Sequence, residues 1–253
     1  MPKLPVGAQL YTVRELIKTD FAGTIRAIAK IGYAGVEIGR FPSDAAQRDA
    51  KKLFDELGLA ICAAHISVED LENDLPRVVA EQRDLGNKNI VLSWIAEARR
   101  KSADDWRAFA GTCNVIGAAL KKSDIRFAFH NHSFEFQKFD GHTGMEIFLQ
   151  HTDPAIVLLE PDVYWLQHGG EDPVKFIEAN RARIHLMHLK DMAAGAERRF
   201  APVGTGVLDF KSILRAGQAA GALWGIVEQD QCYDTPPLEA MKVSFDNLNK
   251  LLT

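Results

Sequence analysis

Short apolar runs alternate with longer segments of helical period along this chain of 253 residues, and a glycine commonly closes the helical segment before the next apolar run begins. The spacing predicts strands over 6–11, 34–38, 60–66, 89–94, 125–130, 155–159, 184–189 and 223–228. Between them it predicts helices over 21–31, 43–57, 71–85, 102–122 and 144–151, one opening at Asp172 and Pro173, and others over 209–220 and 237–252. The signals are physical ones. Ile25, Ile28 and Ala29 share one helical face, Ser43 and Ser102 are N-cap residues, Pro173 suits a first helical turn, and Gly32, Gly58 and Gly86 suit the left-handed C-terminal position. The sixth run, 155–159, is almost wholly apolar, as a parallel strand buried on both faces must be.

Eight strand-helix units in a chain of this length predict a single-domain α/β protein over residues 1–253, a (β/α)8 TIM barrel. A doubly wound open sheet is the other topology with this alternation. The chain lacks the glycine-rich GxGxxG or GxxxxGK[ST] loop that nucleotide-binding sheets of that kind carry after an early strand. No Pro/Gly/Ser-rich linker divides it.

Composition narrows the partners. A formal net charge of −4 argues against a nucleic-acid track, and no run of eighteen apolar residues is present to span a membrane. Cys62, Cys113 and Cys232 are far apart and in no CxxC pattern, so neither a disulfide framework nor a thiolate zinc site is expected, and a reducing compartment is. The first residues, Met1-Pro2-Lys3-Leu4-Pro5-Val6, do not read as a secretory leader. A cytoplasmic protein acting on a small molecule is the expectation, and a homo-oligomer is compatible with it.

Barrel chemistry gathers where the strands end. Those ends supply Gln9 and Tyr11, Glu37, His65, Trp94, His130 with His132, Glu160 with Asp162, His188 with Lys190 and Asp191, and Glu228 with Asp230. Carboxylates forced together need a positive charge between them. One divalent metal ion supplies it, and mixed imidazole and carboxylate donors without thiolate suit manganese, cobalt, zinc or iron better than magnesium. A rim of salt bridges through Arg14, Lys190 or Arg198 is the alternative use of the same charges.

These residues carry a likeness. The stretches Gly35-Val36-Glu37, His130-Asn131-His132-Ser133-Phe134-Glu135-Phe136, Glu160-Pro161-Asp162-Val163-Tyr164-Trp165, His188-Leu189-Lys190-Asp191-Met192, Val203-Gly204-Thr205-Gly206 and Ile226-Val227-Glu228-Gln229-Asp230 resemble the sugar phosphate isomerase/epimerase family with the xylose-isomerase-like barrel, in its HNHxFEF branch. The resemblance implies one metal held by residues from strands five to eight. Asp162, His188 and Glu228 match three of them. At the fourth position the family's Glu is replaced: His130 ends the strand, Glu135 lies further into the loop, and we assign His130. The resemblance further implies a metal-stabilised enediolate on a sugar or keto-sugar. Glu228, His132 and Glu135 are the candidate proton-transfer groups and Lys190 a candidate partner for a hydroxyl or oxyanion. Gln9, Glu37, His65 and Trp165 are expected to contact substrate.

The expected activity is therefore that of an isomerase or epimerase of carbohydrate metabolism. An imidazole in place of a carboxylate also suits elimination, with His as acid to a departing hydroxyl, so a dehydratase acting on a keto-inositol or keto-glycoside is the alternative. An abasic-site endonuclease and a non-catalytic sugar-binding barrel rank below both. No phosphate loop is evident, apart from the glycine-containing 203–206, so an unphosphorylated substrate is favoured.

Overall fold

The computed structural model describes residues 4–252; Met1, Pro2 and Lys3 of the N-terminal stretch discussed above lie outside them. Eight parallel strands form one sheet: β1 (Val6–Gln9), β2 (Gly35–Ile38), β3 (Ala60–His65), β4 (Asn89–Leu92), β5 (Arg126–His130), β6 (Val157–Glu160), β7 (Met187–Leu189) and β8 (Gly225–Val227). Their order is β6-β5-β4-β3-β2-β1-β8-β7. The two ends of that order meet through the bridges Leu159–Ile184 and Asp162–His188, and the nearly closed result is a (β/α)8 barrel. No described helix is long and apolar enough to cross a membrane.

Helices cover the outside of the barrel. Outward residues of the strands, Phe127 and Phe129 among them, pack against helical residues such as Phe109 and Phe148, with the Phe129 and Phe148 rings 4.5 Å apart. The N-cap signals act as expected: Ser43, Ser102 and Asp172 each accept backbone N–H bonds of the helices they open. Gly58 ends its helix at φ +67°, a backbone that side chains rarely adopt.

The interior is filled differently. Cys62, Ala63, Val91, Ala128, Leu186 and Ile226 form a small apolar plug. Gly7 and Gly35 complete it by offering no side chain: a Cβ on Gly7 would lie 2.6 Å from the Cys62 sulfur, and one on Gly35 2.6 Å from the Ala60 carbonyl oxygen. Side chains alternate faces along a strand, so the residue two places on points inward one layer higher. That rule carries Gly7 to Gln9, Gly35 to Glu37, Ala63 to His65, Ala128 to His130, Leu186 to His188 and Ile226 to Glu228. The plug is thus the floor on which the polar groups stand.

Some boundaries differ from the sequence expectation for local reasons. The helix expected over 71–85 is two, Val68–Asn73 and Leu75–Leu85, because Pro76 cannot continue a helix already under way. The first strand ends at Gln9, whose side chain accepts the Tyr11 N–H and opens a 3-10 turn, Leu10–Val13, followed by a short helix, Arg14–Thr19. The seventh and eighth strands are shorter than expected, at three residues each. Two small ribbons, Lys138–Phe139 with His142–Thr143 and Asp191–Met192 with Phe200–Ala201, were not foreseen.

Candidate active site

Two carboxylates organise the centre of the barrel mouth. Glu37 Oε2 accepts from Gln9 Nε2 at 2.7 Å and lies 2.5 Å from His188 Nε2 and 3.1 Å from His65 Nε2. Glu160 Oε2 lies 3.2 Å from His65 Nε2, 3.1 Å from His130 Nδ1 and 3.4 Å from His188 Nε2. Burial alone would lower the affinity of His65 for a proton, but Glu37 and Glu160 outweigh it and hold its pKa up at about 10. Burial and the neighbouring Glu37 push Glu160 up to about 7.

Lys190 stands beside this pair. Its ammonium is buried within 2.7 Å of Glu228 Oε2, 2.7 Å of Asp230 Oδ2 and 3.0 Å of Asp162 Oδ2. Those three carboxylates overcome the effect of burial and keep it charged. Burial raises the Glu228 pKa, yet Lys190 and His188 prevail and hold it well below the usual carboxylate range. Asp162 uses its other oxygen to cap the helix Val163–His168, accepting the Trp165 N–H at 2.9 Å.

The donors fit a metal ion. His65, His130, Glu160 and His188 offer ligand atoms that all lie within 4.8 Å of one another, and so do Asp162, His188 and Glu228. Glu37 Oε1 and Glu160 Oε1 are buried without a hydrogen-bond partner, which a coordinated cation would satisfy. The four residues assigned from sequence, His130, Asp162, His188 and Glu228, thus gather around His188 but divide between the two groups. Sequence reasoning did not single out Glu160 as a ligand or Asp230 as a partner of Lys190. The first has a readable signal, since it continues the inward alternation of β6 from Leu158, whereas the motif points to Asp162.

The HNHxFEF stretch divides its work. His130 joins the histidine cluster; Asn131 Oδ1 accepts the Asp162 N–H at 3.0 Å and so ties the fifth loop to the sixth. The His132 ring stacks on Phe134 with 5.4 Å between centroids and meets the edge of Trp94, and burial with Lys190 nearby lowers its pKa to about 3. Glu135 is fully buried behind it, accepting the His132 N–H at 2.9 Å, and burial pushes its pKa up to about 8. The Trp165 ring lies 5.5 Å from that of His132.

A cavity of about 1200 Å³ opens above these groups, and Gln9, His65, His130, His132, Trp165 and Glu228 all line it. The loop 203–206 does not offer its amides to that cavity. Gly204 and Gly206 donate to Asp191 Oδ2 at 2.9 and 2.8 Å, while Met192 and Leu208 donate to Oδ1. An internal carboxylate thus occupies the amide nest that a phosphate would otherwise use.

Residues 25–251 match the model of the family described as xylose isomerase-like TIM barrel. The chain belongs to that family. Membership was implied by the motifs. Among curated relatives, the inosose dehydratase of Clostridium beijerinckii is 24% identical over 266 aligned positions, covering 89% of this chain and 88% of that one. Among solved structures, a sugar phosphate isomerase/epimerase from Parabacteroides distasonis superposes with a TM-score of 0.86 at 24% identity, covering 100% of this chain and 96% of the other. The IolI protein, solved with a bound zinc atom, superposes with a TM-score of 0.76 at 15% identity over 98% of both chains.

Proposed function

We propose that this barrel is a divalent-metal-dependent dehydratase of a polyhydroxylated ring ketone, a keto-cyclitol or keto-sugar. The observation that carries the reading is the make-up of the cavity walls. Of the carboxylates clustered around His188, Glu228 is the one that lines the cavity. Across the barrel, three strands away in the order, the lining groups are imidazoles: His65 from β3 and His130 and His132 from the end of β5. A base on one wall facing His65, which Glu37 and Glu160 keep protonated, on the other suits elimination. Glu228 takes the proton from the carbon beside the carbonyl, a carbon–carbon double bond forms, and the departing hydroxyl leaves as water after taking a proton from the imidazole side.

A divalent ion held by His188, with Asp162 and Glu228 or with His65, His130 and Glu160, would polarise the carbonyl and stabilise the negative charge that develops on its oxygen. Manganese, cobalt, zinc and iron suit these donors better than magnesium. Lys190 keeps Glu228 ionised from behind the cavity wall. His132 and Trp165 supply walls against which a ring can stack. The similarity to inosose dehydratases over most of both chains supports the same reading.

Isomerisation or epimerisation is the second reading, because an imidazole that gives a proton to carbon instead of oxygen would perform it on the same scaffold. The discriminating experiment is incubation of metal-loaded protein with a keto-inositol and with free keto-sugars in D₂O, followed by mass spectrometry. Loss of one water supports the dehydratase. Deuterium uptake with the skeleton intact supports the isomerase or epimerase, and no change in any substrate would refute both.

A further inference from the structure

We infer that the substrate is a conjugate: a polar ring ketone carrying an apolar, ring-sized substituent, as in a glycoside with an aromatic aglycone. The inference rests on the ring-ketone reading above and names the substrate class more narrowly. Its basis is the shape of the cavity. At about 1200 Å³ it exceeds even the roughly 300–1,000 Å³ pockets that enclose drug-sized ligands, and a lone sugar or cyclitol ring would fill only its polar end. The remainder is continuous with that end and runs outward between the first and second strand-helix units, where Ile17, Phe21, Phe41, Pro42, Ala46 and Leu53 line it. The Phe21 ring meets Phe41 edge-on at 6.3 Å and Phe54 at 6.2 Å, so the groove already has an aromatic wall.

The charges around this groove decide what it takes. A phosphate or carboxylate would need an unengaged cation. Lys18 is paired with Glu15, Arg26 with Glu56, and Arg40 with both Glu81 and Asp70. Arg14 donates to the carbonyl oxygens of Tyr11 and Asp230 and covers the Tyr11 ring. Every cation lining the groove is already neutralised or occupied, and an apolar occupant is the one that gains by displacing water there. Tyr11 and Trp94, 50% and 58% exposed, also line the cavity, and aromatic faces of that kind suit a sugar ring.

The test compares phenyl and methyl β-glucosides by titration calorimetry on the metal-loaded protein. Burying the phenyl ring predicts a preference of about tenfold or more for the phenyl glucoside. Ala46 is half-buried on the helix Asp44–Leu57 that forms the groove wall, and Ala46→Trp fills the groove without deleting any packing group. In that variant, and in Phe41→Ala, the preference falls to about unity. Equal affinities in the wild type, binding of neither glucoside, or an undiminished preference in Ala46→Trp would overturn the proposal. Turnover of the ketone obtained by oxidising one ring hydroxyl of the methyl glucoside is a separate arm. A phenyl preference without turnover keeps the groove and refutes the chemistry; turnover without a phenyl preference does the reverse.

Discussion

Replacing Lys190 by Met leaves the site's shape nearly intact and removes its buried positive charge. At an effective dielectric of ~20, each contact of 2.7–3.0 Å corresponds to a gross attraction of about 6 kcal/mol, most of which the wild type spends on desolvating the charges. Breaking a buried pair by deleting one partner typically costs about 3–5 kcal/mol. The alternative open to the variant is to protonate Asp162 and Glu228, which at pH 7 costs about 3 to 4 kcal/mol per carboxyl and at pH 5 about 1. The sign follows from Glu228. In the wild type its folded pKa is depressed, so its contribution is present at neutral pH and is lost as pH falls through that value. In the variant the folded pKa rises above the unfolded one, so destabilisation grows as pH rises. Urea unfolding in chelator should therefore find Lys190→Met less stable by about 4 kcal/mol at pH 7 and by under ~2 kcal/mol at pH 5. A loss below ~1 kcal/mol at pH 7, or one independent of pH, would refute the role given to this lysine.

Asp162→Ala and His188→Ala should each lose bound divalent metal and all activity, since His188 belongs to both donor groups and Asp162 to one of them; elemental analysis with full occupancy in both variants would contradict the site. Glu135 has a folded pKa of about 8 against an ordinary 4.5, so the folded state binds the extra proton and stability falls as pH rises between those values, by up to about 5 kcal/mol. Glu135→Gln removes that dependence: its unfolding midpoint should stay flatter than the wild type's from pH 5 to 8.5. A more than tenfold loss of turnover in this variant, with the fold retained, would give the carboxyl a part in proton transfer beyond holding the His132 N–H.

The barrel was legible because its cause is local and repeated. Caps such as Ser43 and Ser102, stops such as Gly58, and the two-residue alternation of β5 from Ala128 to His130 are each written within a few residues. The break before Pro76 was also readable in principle, but the helical period runs across it. The site's convergence was legible from strand order alone. Its internal partition was not: that Glu160 faces three histidines while Asp162 turns to Lys190 depends on how one residue, Pro161, separates them at the seam between β6 and β7. Nothing in the spacing tells that Asp230, beyond the eighth strand, completes the lysine's shell. Such pairings are set by distances between separate loops, for which a linear pattern has no term.

The carboxylate of Asp191 has a consequence for traffic through the enzyme. With four backbone amides closed on a group that is covalently part of the chain, the loop after β7 takes its shape from itself and not from solutes. Sulfate or phosphate in the medium finds no vacant seat among those amides. The apolar extension of the cavity is lined instead from the segments after β1 and β2, by residues such as Ile17 and Phe41.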